Sequence, residues 1–308
     1  MSSSMISYYP NIFKKGIIYM FVSGAENNFN SEDSILLAAM SYQTYPLFLA
    51  EKLILPKGFE LRYIIRAFAD VEHPKEEIFG YITESIYNIV IAFRGYASYP
   101  ADLISAYDIL QVPYPFVRNV GKTSRGFTCI YQSTRSKLIR KLNKLSPAKS
   151  LFITGHNYGG ALAILAALDI AVNTRFENPI VYTYGSPRVG DPEFAFRFNQ
   201  VVKSSIRIVN IHDSFPTFPA QIYPPPFTKE GLYYQHVKTT YPLSFQLNDT
   251  PRNDSIGCYF KNLSKKNPDF AKVLCYENPG FCPNTEMCVP FQGTCKSLIP
   301  CNRRGELP

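Results

Sequence analysis

The stretch that most constrains this chain is Leu151-Phe-Ile-Thr-Gly-His-Asn-Tyr-Gly-Gly160, followed by an alanine- and leucine-rich segment that runs to Val172. A short apolar run, a glycine-flanked turn and a helix-forming stretch imply a strand that bends sharply into a buried helix. Gly155 and Gly159 free the backbone on either side of Asn157, so the turn can lift that one side chain over the edge of a sheet. A serine at the centre of such a nucleophile elbow would attack an acyl carbon. Asn157 cannot, because its neutral amide offers no proton that a base could remove to make a nucleophile.

The segment Gly155-His-Asn-Tyr-Gly-Gly-Ala-Leu-Ala163 resembles the elbow of the class 3 (fungal-type) lipases, with asparagine in place of serine. Four further segments resemble that family in the same order. Ile89-Val-Ile-Ala-Phe-Arg-Gly95 is similar to the strand before its first oxyanion residue, and Arg125-Gly-Phe-Thr-Cys-Ile-Tyr131 to the segment after its lid. Tyr182-Thr-Tyr-Gly-Ser-Pro-Arg-Val-Gly190 is similar to the strand and loop after the elbow helix. Arg207-Ile-Val-Asn-Ile-His-Asp-Ser-Phe-Pro-Thr-Phe-Pro219 is similar to the loop carrying the acid of the triad. Tyr234-Gln-His-Val-Lys238 is a weaker match. The resemblance covers residues 30 to 260 and implies an α/β-hydrolase fold with a mainly parallel sheet.

The same resemblance places the site. Asp213 takes the acid position, against a plain reading as a turn aspartate before Ser214. The family's catalytic histidine precedes an aromatic pair similar to Tyr259-Phe260, but Arg252-Asn-Asp-Ser-Ile-Gly-Cys258 contains no histidine. Asp254 is the expected equivalent, with Ser255 and Ile256 as the other alignments. The four histidines are His73, His156, His212 and His236, and recruiting one as base competes with their ordinary structural uses. Tyr96 stands where the family carries Thr or Ser in the oxyanion hole; its backbone N–H and that of Tyr158 remain available as donors. Leu103, Ile104, Tyr107 and Leu110 follow helical spacing where the family places its lid, against a permanently packed surface helix.

Charge and length set the remaining bounds. The 308 residues suit one α/β unit, and Lys+Arg 32 against Asp+Glu 24 gives a net charge of +8. This allows loose peripheral contact with an anionic lipid surface, although an ordinary basic surface explains it equally. No Lys/Arg run exceeds two and no nucleic-acid motif is present, so nucleic acid is not an expected partner. No apolar stretch reaches the length of a membrane-spanning helix. Lys14-Lys15 followed by Gly16 to Ala25 has the outline of a short signal peptide, behind an atypical polar lead.

Cys258, Cys275, Cys282, Cys288, Cys295 and Cys301 crowd a Pro/Gly-containing C-terminal tail, while Cys129 stands alone. Six cysteines allow fifteen pairings and read as a disulfide framework, with an oxidising, extracellular destination favoured. Without a C-x-x-C knuckle, zinc is disfavoured; no metal or cofactor is expected. The expected layout is an extension over 1–29, the hydrolase domain over 30–250 and a cysteine-rich tail over 251–308.

Three functions follow. The leading one is a lipase-like protein of lipid metabolism or lipid binding, with a lipid or acyl-ester ligand and without Ser-His-Asp hydrolysis. The second is an active lipase or carboxylesterase with displaced machinery. Deamidation of Asn157 would supply an aspartate, but bulky Tyr158 hinders that cyclisation. The third is an interaction protein acting through its tail.

Overall fold

The computed structural model describes residues 29–69, 75–97, 108–224 and 231–290. Among these, α1 (Ser31–Ala50) opens the fold. Asn30 caps it by accepting from the Asp33 N–H at 3.0 Å, and Glu32 and Asp33 place acids in the positive first turn. Its apolar residues Ile35 to Met40 are all buried, so the helix runs through the core rather than over it.

A seven-stranded sheet forms the centre. Its strands are β1 (Glu60–Phe68), β2 (Glu76–Glu84), β3 (Asn88–Phe93), β6 (Ser150–His156), β7 (Ile180–Tyr184), β8 (Ser204–Asn210) and β11 (Thr240–Leu243). They lie side by side in that order. The first three pair antiparallel, and β3 to β11 pair parallel. Two small ribbons, β4 (Gln111–Pro113) with β5 (Lys122–Ser124) and β9 (Ile222–Tyr223) with β10 (Leu232–Tyr233), flank it.

Both faces of the sheet are covered, which is why β3 and the start of β6 are apolar runs rather than alternating. Leu151 and Ile153 of β6 join one core with α2 (Arg125–Leu142), α3 (Tyr158–Asn173) and α4 (Pro192–Val201). Phe152, Tyr182, Tyr184, Ile206 and Ile208 join the other, with α1 and the C-terminal helices. Helix α2 begins at Arg125, so it takes in the whole Arg125–Tyr131 segment. Arg135 makes two hydrogen bonds to fully buried Asp169, which also accepts from the Tyr131 hydroxyl, and so ties α2 to α3.

The Pro/Gly content and crowded cysteines of 251–308 imply a tail held by disulfides rather than by regular elements. The described part is instead largely helical: α5 (Thr250–Asp254), α6 (Ile256–Ser264) and α7 (Pro268–Glu277). Ile256, Cys258, Tyr259, Phe260, Leu263 and Leu274 pack into the same core as α1. These helices are short and held by tertiary contact, so they leave little periodic signal. Two disulfides, Cys258–Cys288 and Cys275–Cys282, close this region, and Cys129 is free. Cys295, Cys301, His73 and the signal-like stretch 14–25 lie outside the described residues. Among the described residues no helix is long and apolar enough to cross a membrane.

Candidate functional site

The turn between β6 and α3 takes the form the glycines require. A Cβ at Gly155 would stand 2.2 Å from the Gly159 backbone, and one at Gly159 would stand 2.2 Å from the Phe93 carbonyl oxygen. Only hydrogen fits at either position. Between them Asn157 is held at φ 54°, ψ −119°, a conformation that non-glycine residues rarely adopt. Its backbone N–H bonds the Tyr184 carbonyl at 2.8 Å, which fixes the turn to the end of β7.

Both ends of the Asn157 amide are engaged. Oδ1 accepts from the Tyr158 backbone N–H at 2.7 Å, and Nδ2 donates to Asp254 Oδ2 at 2.9 Å. The carboxylate can only accept and the backbone N–H can only donate, so these partners fix which way the amide faces. The Tyr158 N–H, one of the two donors expected for an oxyanion, therefore already has a ligand.

Asp213 lies close by on the loop after β8. Its Oδ2 accepts from the Tyr259 hydroxyl at 2.7 Å and its Oδ1 from the Phe215 N–H at 2.8 Å. Tyr259 in turn accepts from the Asn210 N–H at 2.9 Å. A Cβ on Gly185 would meet Asp213 Oδ2 at 2.6 Å, the Tyr259 oxygen at 3.2 Å and Asp254 Oδ1 at 3.5 Å, so both carboxyls converge on that glycine. Burial, and then the charge of Asp254, push the Asp213 carboxyl up to about 7; its two hydrogen bonds and His156 pull partly the other way.

Two of the described histidines, His156 and His236, fill structural places. His156 Nε2 faces the Asp254 backbone carbonyl at 2.5 Å and must donate to it, leaving Nδ1 to the Tyr45 hydroxyl at 2.6 Å. Asp254 Oδ1 lies 3.3 Å from Nε2 but has no hydrogen-bond partner. His236 donates from Nε2 to the Pro216 carbonyl at 2.8 Å. Burial, then Arg207, hold its pKa down to about 3, so it stays neutral. His212 is exposed on the loop.

Tyr158 is buried in an aromatic group over the turn. It lies edge-on to Phe127 at 5.1 Å between centroids and stacks with Tyr96 at 6.4 Å; Phe215 is 6.0 Å away. Of the four expected lid residues, Leu103, Ile104 and Tyr107 lie outside the described residues. Leu110 precedes β4 and is exposed. The roles of Tyr259 and Tyr45 have no local sequence signal, since each meets its partner across 46 and 111 residues.

The mainly parallel sheet, the helices on both faces and the turn above its edge make this an α/β-hydrolase fold. Residues 90–223 match the model of the family Lipase (class 3). The lipase of Rhizomucor miehei is 36% identical over 140 residues, covering 42% of this chain and 37% of that protein. The phospholipase A1 EG1 of Oryza sativa subsp. indica is 26% identical over 266 residues, covering 68% of this chain and 60% of that protein. Among solved structures, the native Rhizomucor miehei lipase propeptide complex superposes with a TM-score of 0.54 at 24% identity, covering 68% of this chain and 67% of that one. The Lip2 lipase of Yarrowia lipolytica reaches 0.55 at 19%, covering 70% and 79%. These superpositions carry the fold alone. The chain carries the pattern of the class 3 lipase family over residues 90–223. It spans 37% and 60% of the two curated relatives above.

Proposed function

We propose that this protein keeps the nucleophile elbow and acyl-binding architecture of a lipase and binds a lipid or acyl ester without hydrolysing it by the serine route. The observation that carries this reading is the double engagement of the Asn157 amide. Asn157 stands at the nucleophile position, Asp254 at the histidine position and Asp213 at the acid position. In place of a hydroxyl, a base and an orienting acid, the site holds a neutral amide bonded to one carboxylate beside a second.

Three further features support it. Asn157 Oδ1 takes the Tyr158 N–H that an acyl oxyanion would need. The nearest imidazole, His156, has both nitrogens engaged away from Asn157. Loss of a triad residue removes about four to six powers of ten in rate, and two positions have changed here. The relatives' names, lipase and phospholipase A1, make an acyl glycerolipid the class of ligand, met at the aromatic group around Tyr158 and Tyr96.

The test is hydrolysis of p-nitrophenyl butyrate and a long-chain p-nitrophenyl ester, beside binding of a fluorescent fatty acid, with Asn157→Ala as control. Binding with no turnover above the control is the expected result. Turnover that Asn157→Ala abolishes would sink this reading and favour an enzyme with displaced machinery.

A further inference from the structure

A second polar cluster lies on the opposite side of β8 from the α1 core, and the acyl site makes no use of it. Thr183 of β7 and Arg207 of β8 are cross-strand partners, and Ser205 is two residues before Arg207. Side chains two apart along a strand share a face, so the three project together. Their relative exposures are 0%, 4% and 6% for Thr183, Arg207 and Ser205. Each carries a polar atom without a hydrogen-bond partner: Thr183 Oγ1, Ser205 Oγ and Arg207 Nε.

The charge is equally unanswered. The Arg207 terminal nitrogen reaches Thr240 Oγ1 at 3.0 Å and the Val237 carbonyl at 3.5 Å, both neutral acceptors. Among the described residues no carboxylate pairs with Arg207 or with Arg188. Burial first, and then the neighbouring cation Arg188, lower the Arg207 pKa to about 10. The neighbouring imidazole is His236, held neutral. A buried guanidinium with no counter-charge and an idle N–H is strongly unfavourable, and two buried idle hydroxyls add to the cost. Water can satisfy the hydroxyls but leaves the charge. One small anion answers all three, because Nε–H and both rotatable O–H groups can donate to it.

We propose that Thr183, Ser205 and Arg207 form a buried site for a small halide-sized anion, chloride in ordinary media, between the β7–β8 face and the 236–240 segment. Its position gives it a structural consequence. Arg188 donates to the Thr217 and Pro219 carbonyls and His236 to that of Pro216, so this basic layer holds the loop that begins at Asp213. The anion steadies that layer. None of this depends on whether Asn157 is catalytically silent.

The full chain, prepared in sodium gluconate, is titrated with sodium chloride or bromide at constant ionic strength while thermal unfolding is followed. The expected result is a saturable rise in Tm of about 2–4 °C that gluconate does not give. The near-isosteric double variant Thr183→Val/Ser205→Ala removes two donors without opening a cavity, and its response to chloride should vanish. Bromide-soaked crystals should show an anomalous peak among the three orphaned atoms. Equal melting in gluconate and chloride overturns the site, as does an undiminished chloride response in the double variant. Waters alone at that position overturn it too, and a peak without any Tm shift shows binding at crystal concentration only and counts against it equally.

Discussion

Asn157 and Asp254, 97 residues apart in sequence, are joined by a 2.9 Å hydrogen bond from amide nitrogen to carboxylate oxygen. The pair spans the distance over which a nucleophile would pass its proton to a base. On the function proposed above, the two side chains meet as a nucleophile and its base would, with an amide and a carboxylate in their places.

Restoring both residue types should restore turnover. Asn157→Ser alone leaves no base, and Asp254→His alone leaves no nucleophile, so both single variants should remain at background on p-nitrophenyl butyrate. The double variant Asn157→Ser/Asp254→His also frees the Tyr158 N–H. It should exceed either single variant by at least about 100-fold, a small part of what a complete triad contributes. Equal rates in all three would show that residue 254 does not stand where a base must.

Two buried groups should bend the pH dependence of stability in opposite directions. Asp213 has a folded pKa of about 7, above its ordinary 3.8. Its contribution is full below pH 3.8 and is lost as pH rises through 7. His236 has a folded pKa of about 3, below its ordinary 6.5. Its contribution is full above pH 6.5 and is lost as pH falls through 3. Between pH 4 and 6.5 the two oppose each other, each at up to about 1.4 kcal/mol per pH unit. Urea unfolding should show stability rising more steeply with pH in Asp213→Asn than in the parent. In His236→Gln it should fall relative to the parent over the same window. Difference curves of the same sign would refute this assignment.

The two disulfides should differ in their effect. Cys258–Cys288 closes a separation of 30 residues and Cys275–Cys282 one of 7. Loop-closure entropy assigns them about 3.6 and 2.4 kcal/mol respectively. Cys258 also packs in the core, so the Cys258→Ala/Cys288→Ala variant should be the less stable by more than that gap. Guanidinium melts of the two double variants give the ranking directly.

Asp169 should be the costliest carboxylate to remove from the body of the fold. Asp169→Ala strands Arg135 and the buried Tyr131 hydroxyl together. Breaking one side of a buried ion pair costs about 3–5 kcal/mol, seen as a lower urea midpoint with an unchanged slope. A loss below 1 kcal/mol, on the order of a surface pair, would mean water replaces the carboxylate freely.

β3 and the start of β6 were legible because each is an apolar run buried on both faces, and the turn at Asn157 because two glycines bracket it. The Asn157–Asp254 contact was not legible: the resemblance set Asp254, Ser255 or Ile256 at the histidine position, and no periodicity brings residue 254 to residue 157. Helices α6 and α7 were missed because they are short and rely on α1 and on disulfides for order. The hydrogen bond between Tyr259 and Asp213 was invisible for a related reason. Each residue looks ordinary in its own neighbourhood, and only the packing of α6 beneath β8 brings them together.

The packing of the C-terminal helices against α1 also orders events in time. Gln43 of α1 donates to the carbonyls of Gly280 and Phe281, and the Lys57 N–H to Asn278. One face of the sheet is thus roofed jointly by α1 and by α6 and α7, from opposite ends of the described residues. A chain emerging from the ribosome can pair its strands and cover the α2–α3 face early. The opposite face has α1 but lacks the rest of its cover until synthesis has passed residue 281, so it closes after the α2–α3 face.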